Sequence, residues 1–251
     1  MEIFLTSYIF ILSLCLGSFL NVCIYRIPKG ESIINPPSRC GNCKTRLKAL
    51  DLIPVFSFLF LKGKCRYCKE KISLRYPFIE LITGVLITAV YIEYGLNITF
   101  IKYSVLILFL IVIGMIDFDT TDVYFKTTLS GIITGIAFLL YIYFSGQSIT
   151  AYILGAVLGG GVISLIILIT RGMGWGDAEI CVLCGLFLGF RLTLVMLFAA
   201  FVFGGIIGIL LIIFKIKSRK DYIPFGPFLA LGAVTAIFIG ERVIQLYLLL
   251  L

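Results

Sequence analysis

The chain has no histidine among its 251 residues. That removes zinc sites built on imidazole and the nucleophile pairs that need a histidine base. Acid–base chemistry must come from Asp, Glu, Lys, Tyr or Cys. Charge is scarce as well: only 14% of residues are Asp, Glu, Lys or Arg, and just 13 of them are acidic. So few charged groups, bunched rather than spread, leave no surface for a large soluble domain. What fills the chain instead is apolar: 61% of residues are hydrophobic and the mean hydropathy is +1.13. Soluble domains run nearer half apolar, so the composition indicates an integral membrane protein held in a lipid bilayer.

Residues 3–25 are long and apolar enough to cross a bilayer of about 30 Å. They start Met1-Glu2 and run directly into Asn21-Val22-Cys23-Ile24-Tyr25-Arg26. A cleaved signal has a basic start and a small-residue cleavage site, so this reads as a retained first span. Residues 26–77 are the one sizeable polar segment. They hold 12 of the 21 basic residues against only Glu31, Asp51 and Glu70. The positive-inside rule places this loop in the cytoplasm. Within it Leu52–Leu61 is apolar but too short to span, and reads as an interfacial or core piece of a small loop domain. The net charge of +8 is explained by such loops, and no nucleic-acid-binding motif accompanies it.

Further apolar runs cover residues 78–95, 98–116, 125–144, 149–170, 178–189, 191–214 and about 222–240. Residues 178–214 could instead form one span across Gly189-Phe190-Arg191. The basic cluster Lys215-Ile216-Lys217-Ser218-Arg219-Lys220 decides between these, because it falls inside only when the two runs count separately. The expected fold is an all-α polytopic membrane protein with about eight transmembrane helices. A small zinc-stabilised cytoplasmic loop domain lies between the first and second. The expected divisions are 1–25 (first helix), 26–77 (cysteine loop) and 78–251 (transmembrane bundle).

Cys40-Gly41-Asn42-Cys43 and Cys65-Arg66-Tyr67-Cys68 form two CxxC knuckles. Four thiolates suit tetrahedral zinc, with a redox or iron–sulfur site as the alternative, and a reducing cytoplasm argues against disulfides. Cys181-Val182-Leu183-Cys184 has the same lettering but sits in an apolar run without a second pair; it reads as packing, as do Cys15 and Cys23.

Two acidic stretches stand at the edges of apolar runs, Ile116-Asp117-Phe118-Asp119-Thr120-Thr121-Asp122 and Gly174-Trp175-Gly176-Asp177-Ala178-Glu179. A carboxylate at a membrane boundary is costly to desolvate and marks a site. Span counting brings Asp117 and Asp177 to the same cytoplasmic face. Two carboxylates brought close do not both ionise easily, so one can hold a proton while the other activates water. Gly172, Gly174 and Gly176 would let a substrate strand approach the backbone. Spacing alone leaves other readings open. Asp177 could cap a helix, the acids could relay protons or cations in a transporter, and Asp119, Asp122 or Glu179 could be the partner.

These residues, in this order, resemble the type IV prepilin leader peptidases, bifunctional GxGD-type aspartic proteases of bacterial membranes. The match starts with Gly17-Ser18-Phe19-Leu20-Asn21-Val22 and Tyr25-Arg26-Ile27-Pro28. Pro37-Ser38-Arg39-Cys40, Gly63-Lys64-Cys65 and Ile72-Ser73-Leu74-Arg75-Tyr76-Pro77-Phe78-Ile79-Glu80 follow. Ile116-Asp117, Gly174-Trp175-Gly176-Asp177 and Pro224-Phe225-Gly226-Pro227 complete it. The resemblance implies that Asp117 and Asp177 form the catalytic pair, with Gly174 and Gly176 supporting the loop. It implies cleavage of a prepilin leader after glycine on the cytoplasmic side of the inner membrane, in pilus, secretion or competence machinery. It also implies N-methylation of the new amino terminus with S-adenosylmethionine. No soluble-type nucleotide loop accompanies that activity, and Glu80 and Gly84 are the candidates for the donor. The family's proline shortly after the first aspartate is replaced here by Val123-Tyr124-Phe125.

Overall fold

The computed structural model describes residues 2–218 and 221–249, and these are helical apart from loops and two isolated bridges. The long helices are α1 (Glu2–Arg26), α3 (Arg75–Tyr94), α4 (Ile98–Thr120), α5 (Phe125–Phe144), α6 (Thr150–Thr170), α7 (Trp175–Ile213) and α8 (Gly226–Leu249). These seven are long and apolar enough to cross a membrane. The short α2 (Phe56–Phe60) lies in the loop between α1 and α3, preceded by 3-10 turns at Ile27–Lys29 and Ala49–Asp51. The apolar run Leu52–Leu61 thus yields one helical turn, with Phe56, Leu59 and Phe60 exposed.

Helix ends follow local chemistry. Gly30, at φ 66°, stops the chain after the first 3-10 turn, and Gly95, at φ 70°, ends α3. Asn97 then opens α4, its Oδ1 accepting the Phe100 N–H at 3.0 Å. Helix α4 runs past its apolar stretch to Thr120, so Asp117 sits inside a helical turn.

The chain forms two compact units, Met1–Val112 and Ile113–Leu251. In the first, α1 packs on α3 through small residues. A Cβ at Gly17 would lie 2.7 Å from the Glu80 Cα, and one at Gly84 would meet Leu14 and Phe10. Close backbone approach of this kind is how helices associate where lipid supplies no hydrophobic drive. Asn21 fastens the two helices near the loop, its Nδ2 donating to the Tyr76 carbonyl at 3.1 Å.

In the second unit the 39-residue α7 is not one straight helix. A straight helix this long would extend about 58 Å, far beyond a bilayer core. Gly189 breaks it at φ 77°, ψ 173°, a conformation open essentially to glycine alone. A Cβ at Gly159 of α6 would sit 2.8 Å from the Cys181 carbonyl oxygen and 3.2 Å from the Thr193 methyl. Along one straight helix those twelve positions would be about 18 Å apart. The chain therefore folds back at Gly189 into arms 175–188 and 190–213, the two runs read separately from the sequence. Gly155 makes room for the turn, lying against the Gly185 carbonyl and the Phe190 amide. The basic cluster used to count spans begins at Lys215, just beyond α7; its Arg219 and Lys220 lie outside the described residues.

Candidate active site

Of the acids in the two boundary stretches, Asp117 and Asp177 are the buried ones, each 2% exposed. Asp119 and Asp122 are exposed, and half-buried Glu179 is occupied by a short hydrogen bond from the Thr128 hydroxyl. Both buried acids belong to the Ile113–Leu251 unit. The sequence explains each position. Asp117 lies on the α4 face that continues Ile113 and Ile116, both buried. Asp177 is the third residue of α7, preceded by Gly176, where a Cβ would run into Val123. Glycine there lets the start of α7 close on the segment after α4.

The two carboxyl groups interact electrostatically but differ in what they bond. Asp117 Oδ2 accepts the Gly226 N–H at 2.8 Å. Gly226 opens α8 between Pro224-Phe225 and Pro227, so its amide is one of the unpaired donors at a helix start and points at a negative group. Asp177 Oδ2, in contrast, is buried without a hydrogen-bond partner. An orphaned oxygen of this kind costs about 1–3 kcal/mol. The capping explanation does not account for it: Gly174 is the N-cap residue of α7, and no side chain caps it.

The four loop cysteines meet as their spacing suggests. Their Sγ atoms lie within 4.8 Å of one another, with Cys40 and Cys68 at 3.8 Å. A tetrahedron with metal–sulfur bonds of about 2.3 Å has edges of about 3.8 Å, so the group fits a metal ion. The two knuckles repeat one geometry. Cys40 N–H bonds to the Thr45 carbonyl and Cys65 N–H to that of Glu70, while Lys44 and Lys69 take positive φ at the turns. Asp51 braces the second knuckle through Arg66 Nε at 2.6 Å and the Tyr67 hydroxyl at 3.2 Å. Hydrogen bonds from the Thr45 side chain and amide lower the Cys43 thiol to about 6. Cys181 and Cys184 are fully buried in the first arm of α7 and take no part in such a group.

Comparison with known proteins bears on this pair of sites. A family model described as bacterial peptidase A24 N-terminal domain matches residues 11–94. One described as type IV leader peptidase family matches residues 104–209. A Bacillus subtilis (strain 168) protein named prepilin leader peptidase/N-methyltransferase is 33% identical over 248 residues, covering 96% of this chain and 97% of its own length. Proteins of the same name from Aeromonas hydrophila and Neisseria gonorrhoeae are 31% and 32% identical. They cover 96% and 88% of this chain, and 93% and 86% of their own lengths.

The chain belongs to the type IV leader peptidase family. It is an enzyme with leader peptidase and N-methyltransferase activity, and nothing in these matches supports the transporter alternative. No solved structure matched at a comparable level.

Two features of this leader peptidase were not singled out from its sequence. One is the amide of Gly226: the Pro224-Phe225-Gly226-Pro227 run enters the sequence reading only as part of the resemblance, yet its glycine supplies the bond that holds Asp117. The other is Tyr222. Its hydroxyl would lie 3.9 Å from a Cβ at Gly174. Desolvation, then the negative charges of Asp177, Asp117 and Asp122, push its pKa up. A tyrosine at the edge of an apolar run carries no signal by itself. Glu80 and Gly84 part company: Glu80 lines a cavity beneath the cysteine loop, while Gly84, one turn on, faces α1.

Proposed function

We propose that the protein cleaves the leader of type IV prepilins and pilin-like proteins after a glycine, with Asp117 and Asp177 as the catalytic pair. The observation that carries this is two buried, electrostatically linked carboxyl groups, one held by an amide and the other with a free oxygen. Asp117, already accepting the Gly226 N–H, is suited to carry the charge and draw a proton from water. Asp177, with its orphaned Oδ2, is suited to hold the shared proton and give it to the leaving amine. Gly174 and Gly176 keep the entry to α7 open for an extended substrate backbone. In a chain of about eight spans whose basic loop is cytoplasmic, both acids face the cytoplasm across the bacterial inner membrane. A prepilin, with a basic leader followed by an apolar helix, presents its scissile bond at that boundary. The machinery served would be that of a pilus, a secretion system or DNA uptake.

The division of labour follows 1–25, 26–77 and 78–251. The first helix is followed by the cysteine loop and then by the bundle that carries the aspartate pair, and methyl transfer to the new amino terminus takes S-adenosylmethionine as donor. Zinc is the metal that four thiolates in a short loop suit best, and it would supply the folding energy that a loop this small lacks. Replacing Cys40 and Cys65 together by serine removes half the ligands. Metal content measured on the purified protein then drops from about one equivalent of zinc to near zero. Undiminished zinc would reject the four-cysteine site.

The function itself is tested by weighing a purified prepilin after incubation with the protein. Without donor, the mass falls by that of the leader. With S-adenosylmethionine it falls by the same amount less one methyl group. A prepilin of unchanged mass refutes the reading.

A further inference from the structure

A second cavity, of about 600 Å³, lies wholly within the Ile113–Leu251 unit, where the chain reverses at Gly189. That is within the usual range for a small-molecule site, roughly 300–1,000 Å³. The start of α6 forms one side of it and Glu241 of α8 another. Arg191, two residues past the reversal, lines it as well. Arg191 and Glu241 thus bring opposite charges to one space, yet they do not meet. Among the described residues neither side chain forms an ion pair or a hydrogen bond. Hydroxyl groups stand beside them. Ser148 Oγ donates to Thr150 Oγ1 at 3.2 Å, so the Thr150 hydroxyl keeps its own proton for a further acceptor. Leu154 and Phe190, 49% and 38% exposed, give the rim an apolar side.

Charge and depth together select the ligand. A guanidinium suits a phosphate, and a carboxylate suits an ammonium. Two such groups left unpaired in one cavity fit a ligand that carries both complements. Asp177 stands at one membrane boundary, and Gly189 lies twelve positions along the same arm of α7, about 18 Å away. The hydrocarbon core is about 30 Å thick, so the cavity falls short of the opposite boundary. Charges at that depth draw lipid headgroups inward and thin the leaflet around them. The neighbour that reaches them is therefore lipid. We infer that this cavity binds the headgroup of a zwitterionic aminophospholipid such as phosphatidylethanolamine, its phosphate on Arg191 and its ammonium on Glu241. The acyl chains leave over Leu154 and Phe190. Bound there, the lipid ties the reversal of α7 to the start of α6 and to α8, on the far side of the bundle from the aspartate pair.

Native mass spectrometry of the full-length protein, released from detergent micelles, tests this with two lipids of matched acyl chains. One is phosphatidylethanolamine. The other is phosphatidylglycerol, which keeps the phosphate and lacks the ammonium. The wild-type protein is expected to bind the first about tenfold more tightly, the scale of one charged contact. Glu241→Gln should bring the two affinities to within about twofold of each other, and Arg191→Gln should weaken both by about tenfold. Leader cleavage by both variants stays at the wild-type rate. In the wild-type protein, phosphatidylethanolamine but not phosphatidylglycerol should shield Glu241 from carbodiimide labelling, a result that needs no variant to fold. Equal affinity of the wild type for the two lipids, a preference that survives Glu241→Gln, undiminished binding by Arg191→Gln, or labelling that neither lipid changes would overturn the assignment. Displacement of the lipid by an equal concentration of soluble phosphoethanolamine would overturn it too, because the ligand would then be a free zwitterion.

Discussion

Asp177→Asn is expected to cut prepilin at least about 10³-fold more slowly than the wild-type protein while remaining folded in the membrane. The magnitude follows from what the amide cannot do. Asparagine neither exchanges a proton with the attacking water nor passes one to the leaving amine, and positioned acid–base groups are worth about 10²–10⁴-fold. The substitution is nearly isosteric and replaces a buried oxygen that has no partner here. It also removes the electrostatic coupling between this carboxyl group and Asp117. Stability should therefore hold or rise slightly, by about 1 kcal/mol, as is common when a strained functional group is neutralised. Loss of rate without loss of fold separates catalysis from structure. Thermal unfolding in detergent and the mass of the cleaved prepilin, measured on one preparation, report both. The exposed acids provide the contrast: Asp119→Asn and Asp122→Asn should keep cleavage within a few-fold of wild type. If Asp177→Asn cuts normally, the pair is not the machinery.

The parts of this arrangement that could be read from the sequence are those whose signal is periodic or compositional. Apolar runs of about 20 residues announce spans because the bilayer leaves the backbone few alternatives. Two CxxC knuckles announce a metal group because ligand spacing is local. The break at Gly189 was visible only as a thin place between two runs, since nothing in Gly189-Phe190-Arg191 specifies how far the chain turns. What proves the turn is contact with α6, where Gly155 and Gly159 admit both arms. Choosing Asp117 over Asp119 and Asp122 was beyond pattern reading for a similar reason. All three lie within six positions, and helical continuation past Ile116 turns one of them inward. The amide that holds Asp117 is 109 positions away, and a bond to backbone leaves no trace in side-chain identity.

That amide yields the second large effect. In Gly226→Ala the new Cβ would stand 2.6 Å from Asp117 Oδ2, closer than real Cβ atoms approach, and a tight 3.2 Å from its Cγ. The obstacle is the carboxylate itself, so the least costly relief is rotation of the Asp117 side chain away from the helix start. That rotation breaks the hydrogen bond from the Gly226 N–H and moves the carboxyl group relative to Asp177. A misplacement of about 1 Å at a reacting group can cost about 10²-fold, and loss of that order in cleavage is expected. The fold should survive, because α8 begins at this residue and alanine is at home in a helix. Gly114→Ala is the matched control. It lies on α4 one turn before Asp117 and also faces α8, but its Cβ would meet Ala230 and Pro227 at 3.6 and 3.7 Å, ordinary contact distances. Cleavage by Gly114→Ala should stay within about twofold of wild type. If the two variants behave alike, packing between α4 and α8 governs the rate. If only Gly226→Ala fails, the position of the Asp117 carboxylate does.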